Sequence, residues 1–209
     1  RYRSMGVAPK LDKLGSPSWE KRFKKVRNGV GALAEELIKQ MASRANQKGH
    51  AYLGVPQLLN DFCLSFPYRE TPDQQQAIDD VLADLASESP MNRLIIGDVG
   101  FGKTEVAMRA AIRVVAEGHQ VALLCPTTIL AIQHHRTFVE RCIDFGIRVA
   151  LLTRLQTASI KKKLFKQLQN NEIDILIGTH AILGKDLRFK RLGLVIVDEE
   201  HRFGVKQKG

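Results

Sequence analysis

The apolar positions of this chain change their period part-way along. Between Ser16 and Lys48, the residues Trp19, Phe23, Val26, Val30, Leu33, Leu37 and Met41 recur at spacings of four and three. That pattern predicts one apolar stripe on a long helix, with Ser16-Pro17 as N-cap and first helical residue. At ~1.5 Å per residue the helix would be roughly 45 Å long. Gly29 and Gly31 fall in its middle and predict a kink or a split. Such a helix cannot bury its stripe alone and is expected to dock on another domain. From Phe62 onward, short apolar runs alternate with helical periods. Strands are predicted at 93–96, 120–125, 148–152, 173–177 and 194–197, and helices near 72–86, 102–117, 128–143 and 158–170. The alternation predicts an α/β fold with a mostly parallel sheet flanked by helices. Strand order is not legible in it. The expected division is an irregular end over 1–15, a basic helical linker over 16–60 and the α/β domain over 61–209.

The candidate chemistry sits where these runs end. After the predicted strand at 93–96 come Gly97-Asp98-Val99-Gly100-Phe101-Gly102-Lys103-Thr104 and then Glu105, a loop of the G-x-x-x-x-G-K-[ST] type opening a helix. A strand turning through glycines into a helix N-terminus aims backbone N–H groups at one point, where the helix dipole favours an anion. Gly97, Gly100 and Gly102 let the backbone come close to phosphates. Lys103 would supply the charge for β- and γ-phosphates, and the Thr104 hydroxyl would be a magnesium ligand. The apolar run 194–197 ends in Asp198-Glu199-Glu200-His201. Asp198 would hold magnesium, and Glu199 would orient and deprotonate an attacking water. Together these predict binding and hydrolysis of a nucleoside triphosphate. By itself the acidic run reads equally well as a solvated strand end.

Charge adds an asymmetry. Residues 1–60 carry 12 Lys/Arg against 4 Asp/Glu, and residues 61–209 carry 20 against 18, within a total of +10. A basic appendage beside a nearly neutral domain suits a polyanion or an acidic protein face, although a solvated surface explains it as well. Cys63, Cys125 and Cys142 are odd in number and lack metal-ligand spacing. They are expected to be reduced, mostly buried thiols of a cytoplasmic protein. No apolar stretch approaches membrane-spanning length and no signal-peptide pattern opens the chain. Beginning at Arg1 rather than Met, it is expected to be a piece of something longer.

Five segments together carry a family resemblance: 66–74 (Phe-Pro-Tyr-Arg-Glu-Thr-Pro-Asp-Gln), the loop at 97–104, Pro126-Thr127-Thr128, Gly178-Thr179-His180, and the acidic run followed by Arg202-Phe203-Gly204-Val205. The chain resembles the first RecA-like lobe of superfamily 2 DNA translocases. Phe101, the run Glu105-Val106-Ala107-Met108-Arg109 and Glu200 make it more similar to the transcription-repair coupling factors than to the RecG branch-migration helicases, which carry serine and glutamine at the positions of Phe101 and Glu200. The resemblance implies ATP and Mg²⁺ as cofactors and double-stranded DNA, read without regard to sequence, as partner. RNA polymerase and excision-repair proteins are implied as partners of the full-length protein. By the same resemblance Gln74 reads the adenine edge with Phe66 stacking beside it, and Glu200 and His201 couple the nucleotide to DNA. Pro126, Thr127, Thr128, Gln133, Thr153, Arg154, Gly178, Thr179 and His180 would touch the DNA backbone. Phosphate contacts of that kind carry no sequence information.

Other readings stay open. Thr71-Pro72-Asp73-Gln74 is also a capping box, and each DNA-contact segment taken alone reads as a plain helix cap. Ile132 stands where the family pattern expects a polar residue, and Thr153-Arg154-Leu155 replaces Ser-Arg-Phe. Lys161, Lys162, Lys163 and Lys166 fit a solvated helix face better than a DNA contact. The resemblance makes residues 1–15 the tail of an RNA-polymerase-binding domain, most of which would lie upstream of Arg1, and places a second lobe, carrying an arginine finger, after Gly209. A different class also remains, an interaction module that works through the basic helix, and so does a RecG-like lobe.

Overall fold

In a computed structural model, residues 16–45, 47–54, 56–184 and 186–199 are described. The irregular end at 1–15, the coupling pair Glu200 and His201, and Arg202-Phe203-Gly204-Val205 lie outside them. Two compact units divide the chain, Arg1–Gln47 and Lys48–Gly209. In the first, α1 runs unbroken from Pro17 to Ala45; the helical hydrogen bonding carries through Gly29 and Gly31, so the expected split is absent. Trp19 and Phe23, one turn apart, stack with centroids 6.5 Å apart, and Phe23, Val26 and Val30 are exposed. The side chains of Leu33, Leu37 and Met41 lie outside the described set.

The second unit starts well before the boundary expected at residue 61, because the segment from 48 onward is tied to it. Tyr52 N donates to Leu85 O at 2.7 Å, Arg113 Nε donates to Tyr52 O at 2.8 Å, and His50 Nε2 lies 2.7 Å from Glu117 Oε2. A helix that sequence reading missed, α2 (Pro56–Leu64), follows. Its nine residues are too few to display a helical period, yet Leu59 and Phe62 are in the core.

Next come α3 (Pro72–Leu85), α4 (Lys103–Val115), β1 (Gln120–Leu124), α5 (Thr128–Cys142), β2 (Val149–Leu152), α6 (Ala158–Gln169), β3 (Ile175–Gly178) and β4 (Leu192–Val197). The four strands form one sheet in the order β2-β3-β1-β4, parallel throughout. Alternation along β1 sends side chains to two cores. Val121 and Leu123 join α2, α3, α4 and α5 residues such as Ile78, Ile112 and Phe138 on one face. Ala122 and Leu124 join Leu164 and Leu168 of α6 on the other. This is the α/β, RecA-like lobe expected, a parallel sheet covered on both sides.

The predicted strand at 93–96 is a correction, since this run is in no ladder. Ile95 packs on the core while Leu94 and Ile96 are exposed, and Arg93 is bound to Asp84 and Asp80 of α3. Apolarity selects an extended backbone but cannot supply a hydrogen-bonding neighbour. Among the described residues, β4 pairs with β1 alone, and its outward-facing Val195 and Val197 are exposed.

Buried Gln120 holds the base of the sheet together. Its Nε2 donates to Leu168 O and Ile173 O, both at 2.9 Å, and its Oε1 accepts from Lys190 N and Arg191 N at 2.8 and 3.1 Å. A buried amide is stable only when satisfied in this way.

Candidate functional site

In open parallel sheets, ligands bind at the carboxyl ends of the strands, and the candidate residues gather there. The glycine loop reaches α4 through Gly100 and Gly102, whose φ values are +86° and +68°, a region L side chains enter only at a cost. Thr71, Thr127 and Thr157 each accept a backbone N–H with the side-chain oxygen at the starts of α3, α5 and α6. Gly102, at the start of α4, provides no such cap. Glu105 N donates to Gly102 O at 2.9 Å, and the start of α4 at Lys103 and Thr104, with no side-chain cap, is the kind of helix N-terminus that suits an anion. Within the loop Lys103 Nζ donates to Gly97 O at 2.6 Å and to Asp98 O at 2.7 Å. An incoming phosphate must compete with those carbonyls for the ammonium. Val99 and Phe101 project into solvent.

The acidic end of β4 faces this loop. Asp198 N donates to Leu124 O at 2.9 Å, continuing the ladder with β1, and Asp198 Oδ2 lies 2.8 Å from His134 Nε2. The hydrogen bond to His134 holds the Asp198 carboxyl below its ordinary range against the opposing effect of burial, and the charge of Lys103 adds to the lowering. Lys103 and Asp198 therefore act on one another across the site. Glu199 follows in a left-handed conformation, φ 50°, which turns the chain sharply at the strand end.

Gln74 does two things at once. It completes the capping box, with Thr71 N donating to Gln74 Oε1 at 2.9 Å and Gln74 N donating to Thr71 Oγ1 at 3.2 Å. Its Nε2 also donates to Phe101 O at 2.8 Å, so the start of α3 is tied to the glycine loop. A Cβ on Gly102 would meet that Nε2 at 2.5 Å; this close approach is a second reason for glycine there.

Glu105, expected beside the nucleotide, has its side chain turned elsewhere. Its carboxylate is buried, 8% exposed, and accepts from Arg109 Nε at 2.9 Å and Arg141 Nη2 at 3.2 Å. Arg109 also pairs with Glu70. The helical turn carries Glu105 to the core-facing side of α4. The two guanidinium groups also flank the ring of Phe66, at 5.6 and 5.3 Å from its centroid, and Tyr68 meets that ring edge-on. Phe66 is thus a brace for this ionic network.

A cleft of about 750 Å³ opens at the carboxyl ends of β1, β2 and β3, lined by Pro126, Thr127, Thr128, Ile129, Arg154, Lys161, Thr179, His180 and Ala181. Six of the nine predicted DNA-contact residues line it, drawn from the ends of three strands. Three do not. Thr153 is buried at the end of β2. Gly178 lies in the sheet, where a Cβ would come 2.1 Å from Leu152 O, so strand packing explains that glycine. Gln133 is exposed one helical turn beyond Ile129. Lys161, expected on a solvated face, is brought to the cleft because α6 starts directly above it. Its Nζ reaches Arg154 O at 3.5 Å. Ile132 is half exposed outside the cleft.

Cys63, Cys125 and Cys142 are free, the latter two fully buried. No helix among the described residues is long and apolar enough to cross a membrane.

A family model for the DEAD/DEAH box helicase matches residues 71–209, and the chain belongs to that family. It is 48% identical over 205 residues to the transcription-repair-coupling factor of Bacillus subtilis (strain 168), a match covering 98% of this chain and 17% of that protein. To the transcription-repair-coupling factor of Myxococcus xanthus it is 48% identical over 198 residues, 95% of this chain and 16% of the relative. A solved structure of RecG bound to a three-way DNA junction superposes with a TM-score of 0.74 at 44% identity, covering 79% of this chain and 23% of that one. The chain thus spans about a sixth of the curated relatives it matches.

Proposed function

We propose that this chain is the ATP-binding first motor lobe of an ATP-dependent double-stranded DNA translocase of the transcription-repair-coupling type. The observation that supports the reading is that the charge of the loop lysine, Lys103, reaches the strand-end carboxylate, Asp198, and helps to lower its carboxyl. Two segments far apart in sequence share one site next to an uncapped helix start. In this reading the α4 amides and Lys103 bind the phosphates, and Thr104 and Asp198 hold Mg²⁺, which would neutralise charge developing on the transferred phosphoryl group. Glu199 orients the attacking water, and Gln74 meets the adenine. The cleft lined by Thr127, Thr128, Arg154, Lys161 and Thr179 takes the DNA backbone through hydroxyls and two cations, a set suited to any sequence. In the full-length protein, such a lobe would work against a second lobe to push stalled RNA polymerase and bring in excision repair.

An arginine finger supplied from elsewhere contributes ~10³–10⁵ in rate in related phosphoryl-transfer systems. The 209-residue chain is therefore expected to bind Mg-ATP weakly and to turn it over hardly at all. Robust DNA-stimulated turnover by this chain alone refutes that division of labour. In the full-length protein, Lys103→Ala should abolish translocation and leave polymerase binding intact; unchanged translocation would favour an interaction module. The structural likeness to RecG supports a second reading, a branch-migration lobe. Unwinding of three-way junctions by the full-length protein, without any action on a stalled polymerase, would select it.

A further inference from the structure

The sheet brings together three side chains that no sequence spacing connects. Cys125 directly follows β1, Asp198 directly follows β4, and His134 faces them from α5. Their ligand atoms, one each from thiol, imidazole and carboxylate, all lie within 4.8 Å of one another. Two of the three are fixed by backbone hydrogen bonds of the sheet: Cys125 N donates to Gly178 O at 2.8 Å, and Asp198 N donates to Leu124 O at 2.9 Å. His134 and Asp198 are already in contact at 2.8 Å. Cys125 is fully buried, whereas the side chains of His134 and Asp198 are 17% and 30% exposed. The cluster is therefore closed behind the sulfur and open on the nitrogen and oxygen side.

We propose that Cys125, His134 and Asp198 form a binding site for a thiophilic divalent cation of the zinc class, with a fourth position open to water. One sulfur, one nitrogen and one oxygen ligand plus an open position is an arrangement zinc accepts, with bonds of about 2.3 Å to sulfur and about 2.0–2.2 Å to nitrogen and oxygen. Magnesium, which selects oxygen ligands, has no use for the thiol. Meeting those lengths draws the sulfur inward and parts the His134–Asp198 pair, whose 2.8 Å contact gives way to bonds to the ion. Binding forms bonds to sulfur, nitrogen and oxygen; the thiol proton leaves to solvent, and the His134 Nε2 proton shared with Asp198 is given up as well, leaving a neutral imidazole protonated on Nδ1. Occupation would also withdraw Asp198 from magnesium and make the ion an inhibitor of nucleotide turnover. That consequence alone rests on the proposed motor function.

The test is a titration of the reduced, nucleotide-free chain with Co²⁺, a spectroscopic substitute for zinc. The expected result is a near-ultraviolet thiolate-to-cobalt charge-transfer band that saturates at one ion per chain and is discharged by Zn²⁺. Cys125→Ala and Cys125→Ser should each lose the band, His134→Ala should weaken binding on the order of tenfold or more, and the Cys63→Ala/Cys142→Ala double variant should keep it. The two Cys125 variants differ in volume and polarity, so one that retains the apo melting transition suffices. No band in the unaltered chain, a band surviving either Cys125 substitution, or a band lost with Cys63 and Cys142 would overturn the assignment. Because nucleotide is absent throughout, failure of the motor reading leaves this result unaffected.

Discussion

The ammonium of Lys103 lies 2.6 Å from the carbonyl oxygen of Gly97, the residue that opens its own loop. A second bond to Asp98 O completes the clasp. The lysine thus closes the loop on itself, and phosphate oxygens must replace those carbonyls. Lys103→Ala should weaken Mg-ATP binding about 10–100-fold, the equivalent of losing one or two charge-assisted hydrogen bonds. The fold should barely notice, since the group is not in the core. Calorimetric titration beside a thermal melt checks both halves.

Glu105 gives the opposite expectation. Removing its carboxylate leaves the Arg109 and Arg141 guanidinium groups short of a partner in the interior. Breaking a buried ionic network typically costs about 3–5 kcal/mol. Glu105→Ala should therefore lower the urea midpoint sharply. Unchanged stability with lost ATP affinity would return Glu105 to the nucleotide site.

Gln120→Leu preserves size and strands four backbone partners: the carbonyls of Leu168 and Ile173 and the amides of Lys190 and Arg191. A loss of about 2–5 kcal/mol is expected by chemical denaturation. A neutral result would mean that water replaces the amide without penalty.

Acid should destabilise the fold in two stages. Burial pushes the imidazoles of His119 and His135 below the ordinary value of 6.5. Their contribution is complete above that pH and fades as pH falls through the lowered values, because the unfolded chain takes up protons first. The carboxyls of Glu70, held down by its hydrogen bond to Arg109, and Asp198, held down by His134, lie below 4.5 and 3.8 respectively. Their contribution is present above those ordinary values and is lost below them. Urea denaturation between about pH 8 and pH 3 should show a shallow decline and then a steeper one. Constant stability across the range would contradict both assignments.

Arg154→Ala with Lys161→Ala tests the cleft. Binding to duplex DNA should weaken equally for all sequences, and the salt dependence should shallow by roughly one for each phosphate that the altered cleft no longer neutralises. An unchanged slope would remove the cleft from the DNA path.

Much of this was legible in the sequence. The predicted strands at 120–125, 148–152, 173–177 and 194–197 each appear within a residue or two. The helices expected near 72–86, 102–117, 128–143 and 158–170 begin within a residue of those starts. Local chemistry suffices for such features: a Thr hydroxyl caps the helix that follows it, and β-branched runs extend. What the sequence leaves open is decided by a partner elsewhere in the fold. The run at 93–96 has the composition of a strand and no neighbour to pair with. Glu105 borders the glycine loop in sequence and points away from it in space. Gln120 reads as the polar end of a strand, yet all of its amide's hydrogen-bonding is taken up inside the fold.

The α/β class, the glycine loop, the acidic strand end and the family resemblance could all be read from residues a few positions apart. The strand order β2-β3-β1-β4 and the reach of the Lys103 charge to Asp198 come from the fold in three dimensions. That fold also decided the ionic core around Arg109 and the convergence of Cys125, His134 and Asp198. These depend on which distant backbones hydrogen-bond side by side and on which face each helical turn presents. A one-dimensional pattern constrains such pairings and does not choose among them.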